Sequence, residues 1–157
     1  MTISRDEMYD KEETRKKILE AKEAKGLSFS DIENEMGVDK TFIASAVYDA
    51  ASMEEDTATE LADVLDLGED VVEALQAPPM KGSEDPSIPS DPCLYRLYEV
   101  PQVYGPAIKA LIHEEFGDGI MSAIDFEVSV DNVEGDDGAE HVQITYDGKF
   151  LPYKRWE

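Results

Sequence analysis

Two periodicities divide the chain. In residues 11–77 apolar positions recur three and four apart, the spacing of a helix with one buried face. "EETRKKILEAKEAKG" carries Ile18, Leu19, Ala21 and Ala24 on that period and stops at Gly26. "SFSDIENEMG" offers Ser28 or Ser30 as N-cap and ends at Gly37, and "VDKTFIASAVYDAA" follows Asp39 as cap. "MEEDTATELADVLDL" and "GEDVVEALQ" complete an all-α bundle over residues 1–77. "APPMKGSEDPSIPSDP" then holds five of the eight prolines, so residues 78–90 read as an extended linker.

The pattern changes after the linker. Asp91 and Pro92 form a cap and first-turn pair, and a helix through "PCLYRLYEV" should kink or end at Pro101. "GPAIKALIHEEFGDG" reads as a second helix stopped by Gly117. In "IMSAIDFEVSVDNV" the apolar residues Ile124, Phe126, Val128 and Val130 alternate with Asp125, Glu127 and Ser129, the period of a strand. "EGDDGAE" reads as a loop. "HVQITYDGKFLPY" returns as strand with Val142, Ile144 and Tyr146 on one face, and Asp147-Gly148 is a hairpin-turn signal. Two or three strands with an apolar face do not close a sheet, which points to a partner chain. The fold class expected is α+β: an N-terminal helical bundle, and C-terminal helices and short strands forming an intertwined dimerisation and catalytic domain over residues 91–157.

Charge narrows the function classes. The 157 residues carry 14 Lys and Arg against 37 Asp and Glu, a formal net charge of −23. Such a surface repels phosphate backbones and anionic lipid, so neither nucleic acid nor membrane is an expected partner. The helices around Gly37 resemble a helix-turn-helix, but "DKTFIASAVYDA" has one basic residue and no Arg, Asn or Gln for base edges. The single cysteine, Cys93, excludes an intrachain disulfide and reads as a packing residue. "MTISRDEMYD" has no apolar core for secretion, and no apolar run approaches a membrane span. A soluble cytoplasmic protein is expected.

The candidate chemistry is sparse. His113 and His141 are isolated and no HExxH is present, so no metal site is expected. Arg96 and Glu99 stand three apart on one helix face, and their plain structural reading is an exposed ion pair. Ser122 follows the close glycines 117 and 119. A buried hydroxyl there needs a partner, either nearby backbone or a ligand, and no GxSxG elbow surrounds it.

Longer phrases resemble a known family. "YRLYE", "QVYG", "KALIHEEFGDGIMSAIDF" and "DGKFLP" follow the C-terminal signature of the cyanases, also called cyanate hydratases or cyanate lyases. "AKGLSFSDI" follows the family's helical domain more loosely. Pro101 departs from the pattern, where a non-proline helical residue is usual. The resemblance implies a bicarbonate-dependent lyase of cyanate detoxification and nitrogen metabolism, yielding ammonia and carbon dioxide through a carbamate-type intermediate. It implies Arg96, Glu99 and Ser122 as catalytic residues and Ile120, Ala123 and Leu151 as pocket lining. It implies no metal or organic cofactor, bicarbonate being a co-substrate, and a homodecamer built from dimers with sites between subunits. Two rivals remain: a helix-turn-helix regulator sensing a small anion, and an inactive structural homologue.

Overall fold

The computed structural model describes residues 10–79 and 89–156. The chain forms two compact units, Met1–Ser83 and Glu84–Glu157. Most of the expected linker, residues 80–88, lies outside the described residues.

Among the described residues, five helices build the first unit: α1 (Lys11–Ala24), α2 (Phe29–Met36), α3 (Lys40–Val47), α4 (Glu55–Val64) and α5 (Glu69–Gln76). Local chemistry sets their starts. Asp10 caps α1 by accepting from the Glu13 amide at 3.0 Å. Ser28 and Asp31 form a reciprocal capping box on α2, and the Asp39 carboxylate caps α3. Gly37 ends α2 in the left-handed conformation. Ile18, Ile32, Ile43, Val47, Leu61, Leu65 and Val71 are all but fully buried and make the core between the helices.

The few cations of this unit tie its helices together. The Lys11 ammonium donates to the carbonyls of Ala74 and Ala77 at the end of α5, where unpaired carbonyls favour a positive charge. Lys17 pairs with Asp70 at 2.9 Å and Lys25 with Asp66 at 2.7 Å. Arg15 reaches Asp49 at 3.0 Å. Partial burial nevertheless pushes the Asp49 carboxyl up, and the Arg15 guanidinium only opposes that shift.

The described residues of the second unit form a 25-residue helix, α6 (Pro92–Phe116), and two antiparallel strands, β1 (Gly119–Glu134) and β2 (Glu140–Pro152). Asp91 caps α6 by accepting from Leu94 N at 3.0 Å, with Pro92 in the first turn as expected. Three expectations are corrected here. The helix does not end at Pro101; it runs through both Pro101 and Pro106 to Phe116. Each proline removes one amide donor, from the carbonyls of Leu97 and Gln102 respectively, and no residue of α6 is buried, so those carbonyls need not go unpaired away from water. Cys93 is exposed rather than packed, for the same reason. Asp147-Gly148 is not the hairpin turn: these residues pair with Glu127 and Phe126 inside the ladder, and the turn lies between Glu134 and Glu140, with Gly138 at φ +78°.

The strands are longer than the sequence suggested. From Phe126 to Glu134 they pair without interruption, setting Val128 opposite Tyr146 and Val130 opposite Ile144. This gives one apolar face, with the Phe126 and Tyr146 rings 5.7 Å apart. Gly117 closes α6 at φ 92°, ψ −168°, a conformation essentially reserved to glycine, and turns the chain into β1. There the Phe116 ring stacks on Phe150 at 5.2 Å, and Tyr153 N donates to the Asp118 carbonyl at 3.0 Å.

Candidate functional site

Arg96 and Glu99 project from the second turn of α6. The Arg96 guanidinium meets Glu99 Oε2 at 2.9 Å, with side-chain exposures of 70% and 39%. The pair thus presents one guanidinium edge to solvent while the carboxylate fixes another.

Ser122 lies in a break in the hairpin. Pairing stops after Met121, opposite Phe150, and resumes at Phe126, opposite Gly148. Four residues, Ser122 to Asp125, therefore face Lys149 alone and bulge from β1. Ile124 belongs to this bulge and not to the alternating ladder in which the sequence placed it; the residue is 98% exposed. Ser122 is only 4% exposed, and its hydroxyl oxygen accepts from the amides of Ile124 at 3.1 Å and Asp125 at 2.9 Å. Accepting twice leaves the hydroxyl proton as what Ser122 can offer a ligand.

The apolar residues expected to line the pocket fall at the same end of the hairpin. Ile120 pairs directly with Leu151 across the ladder, and Ala123 sits in the bulge beside Ser122. The structure thus brings together Arg96 with Glu99, and separately Ser122 with Ile120, Ala123 and Leu151. The hydrogen-bond partners of Ser122 are its own bulge amides, not Arg96 or Glu99. Among the described residues, no group of three or more His, Cys, Asp and Glu side chains could hold a metal ion. Among them, too, no helix is long and apolar enough to cross a membrane.

Sequence reasoning missed the bulge. The available signal was the position of Asp147-Gly148, which stands inside an apolar run that continues as Phe150 and Leu151, whereas "GDDG" stands between two runs.

Comparison with known proteins joins these observations. The family described as Cyanate hydratase, N-terminal, matches residues 11–79, and that described as Cyanate lyase C-terminal domain matches residues 86–155. The cyanate hydratase of Acaryochloris marina (strain MBIC 11017) is 53% identical over 144 residues, 92% of this chain and 97% of that protein. That of Synechocystis sp. (strain ATCC 27184 / PCC 6803 / Kazusa) is 49% identical over 140 residues, 89% of this chain and 93% of that protein. The crystal structure of cyanase from T. urticae superposes with a TM-score of 0.78 at 34% identity, covering 89% of this chain and 97% of that one. With both halves matched and half the residues identical over nearly the full length of these relatives, the chain belongs to the cyanate hydratase family.

Proposed function

We propose that this protein is a bicarbonate-dependent cyanate hydratase. The observation that carries the reading is the buried Ser122 hydroxyl, held by two amides in a bulge within the family-matched segment and left with a proton to donate. The reaction brings two small anions together in a chain of net charge −23, so a local cation is required. Arg96 supplies it. Its planar fork suits bicarbonate, and Glu99 at 2.9 Å holds the fork in place. A bicarbonate oxygen bonds to the cyanate carbon while the nitrogen takes up protons, and Ser122 stabilises the charge on the adduct. Cleavage of the former bicarbonate C–O bond releases carbon dioxide and leaves carbamate. Carbamate then loses ammonia and a second carbon dioxide, two protons having been consumed overall. Bicarbonate is the nucleophile, so no catalytic triad is needed, and positioning and electrostatics do the work without metal or organic cofactor. Glu99 is placed to pass protons toward the departing nitrogen.

The site is completed between subunits in this reading. In the single chain α6 buries no residue, while Leu97, Val103, Leu111, Ile120 and Tyr146 are exposed. A two-stranded hairpin is at best marginally stable alone. A second copy laid on these faces would bury them and could bring Arg96 and Glu99 to a Ser122; the assembly we propose is the family's decamer, built from five dimers. Residues 91–157 are then the catalytic and oligomerisation domain, residues 1–77 a helical domain, and the cytoplasm the working compartment.

The test is ammonia release from cyanate with and without bicarbonate. Release is expected only when bicarbonate is present and is expected to survive EDTA. Equal release after bicarbonate and dissolved carbon dioxide are stripped would reject the co-substrate, and loss with EDTA would restore a metal to the mechanism.

A further inference from the structure

We propose that Gly148 is a positioning residue for catalysis, acting through Ser122; the inference rests on Ser122 being the donor described above. Gly148 pairs with Phe126, the first rung after the bulge. Its φ lies outside the left-handed region, so backbone conformation does not call for glycine there. Space does. A Cβ added to Gly148 would stand 2.4 Å from Met121 Cγ and 2.5 Å from the carbonyl oxygen of Ser122, with Met121 Sδ at 3.2 Å. Carbon atoms do not approach at such distances. The Met121 side chain can swing away, being 40% exposed. The Ser122 carbonyl cannot move alone, because it belongs to the peptide that leads into the bulge. Any side chain at residue 148 therefore displaces the backbone of Ser122. Among the described residues, its hydroxyl is held by the amides two and three residues further along the same bulge. A shifted Ser122 peptide carries the hydroxyl off those amides and off its line to the substrate.

The geometry also explains why a DG pair stands where no turn forms. Asp147 and Gly148 close the ladder against Glu127 and Phe126 while leaving room for four residues to bulge over one. The absence of a side chain at residue 148 is what makes that room.

The experiment is a double-mutant cycle in the full-length assembled protein, with sizing done first. Gly148→Ala is expected to lower kcat by roughly a hundredfold, the cost of misplacing a catalytic group by about 1 Å. In a Ser122→Ala background the same substitution should change kcat by less than about threefold, because the group it displaces is already gone. Full additivity would overturn the proposal, since Gly148 would then act elsewhere. Near wild-type turnover of Gly148→Ala beside a crippled Ser122→Ala would overturn this proposal alone. Full turnover of Ser122→Ala would overturn the role of Ser122 and this proposal with it. If Ser122→Ala turnover is too low to measure, the crystal structure of Gly148→Ala decides. A Ser122 hydroxyl no longer within hydrogen-bond reach of the Asp125 amide supports the proposal, and one still at about 2.9 Å overturns it. If Gly148→Ala does not assemble, Met121→Ala/Gly148→Ala is compared with Met121→Ala, which removes the side-chain half of the collision. A hundredfold loss there supports positioning. A double variant that turns over normally, or that also does not assemble, overturns it.

Discussion

At the scale of single residues, the arginine of "LYRLYE" carries a clear alternative. Its contact with Glu99 has the geometry of an ordinary surface pair three residues apart, and such pairs contribute under about 1 kcal/mol. Arg96→Lys separates the two readings. The substitution keeps the charge and the far field but loses the planar fork that holds a carboxylate-shaped anion at two points. We expect kcat/KM to fall by roughly a hundredfold or more, comparable to removing an oxyanion donor, in a protein that sizing shows to be assembled. An assembled Arg96→Lys variant with near wild-type kinetics would return Arg96 to the surface-pair role and remove the main support for anion placement. Only part of this was legible beforehand. The Arg96–Glu99 spacing follows from helical period alone. The state of the Ser122 hydroxyl does not, because it depends on where strand pairing stops.

At the scale of elements, the caps were readable and the interruptions were not. Ser28, Asp39, Asp91 and Gly117 mark helix ends through hydrogen bonds with residues two to four away, so a sequence displays them directly. The capping box on α2 yields a test. Ser28→Ala removes the hydroxyl that accepts from the Asp31 amide at 3.0 Å, which should cost about 1 kcal/mol of stability in thermal melts of the full-length protein. The pH dependence should change as well. The Ser28 backbone amide and hydroxyl hold the Asp31 carboxyl below the usual aspartate range. A depressed carboxyl contributes stability that is present above the ordinary aspartate value and is lost as pH falls through the depressed one. Ser28→Ala takes away the second of those two causes, so the helical unit should lose less of its stability on acidification from pH 5 downward. An unchanged acid profile would show that the Ser28 hydroxyl does not hold the Asp31 carboxyl down. Pro101 and Pro106 mark the opposite case. A helix can absorb one missing donor where its carbonyls reach water, and whether they do is a property of its surroundings rather than of the proline.

At the scale of the whole molecule, the two units differ in where their apolar surface goes. The first buries an aliphatic core around Ile18, Ile43 and Leu61. The second leaves Val103, Leu111, Val142 and Tyr146 exposed along a helix of about 38 Å and a bare hairpin. In the proposed assembly, association covers these faces, and each added chain brings a net charge of −23 against its neighbours. Light scattering should therefore show particles far above 17.5 kDa that are better held together in salt, where repulsion beyond about 8 Å is screened at physiological ionic strength. A stable, active monomer at any salt concentration would reject the shared site.

What the sequence determined by itself is what short-range physics determines: helical period and caps in residues 11–77, strand alternation after Phe126, the side of α6 that bears Arg96 and Glu99, and the excess of negative charge. Each depends on neighbours a few positions away. Tertiary structure decided what depends on which residues meet across the chain. It placed Gly148 against the carbonyl of Ser122, drew Asp147-Gly148 into the ladder so that the acidic loop expected from sequence is the hairpin's connection, and set Ile120 opposite Leu151. Register is the physical reason. Two strands of nearly equal apolar pattern can pair in several offsets, and the one adopted is selected by where a bulge fits, which depends on an absent side chain on the opposite strand.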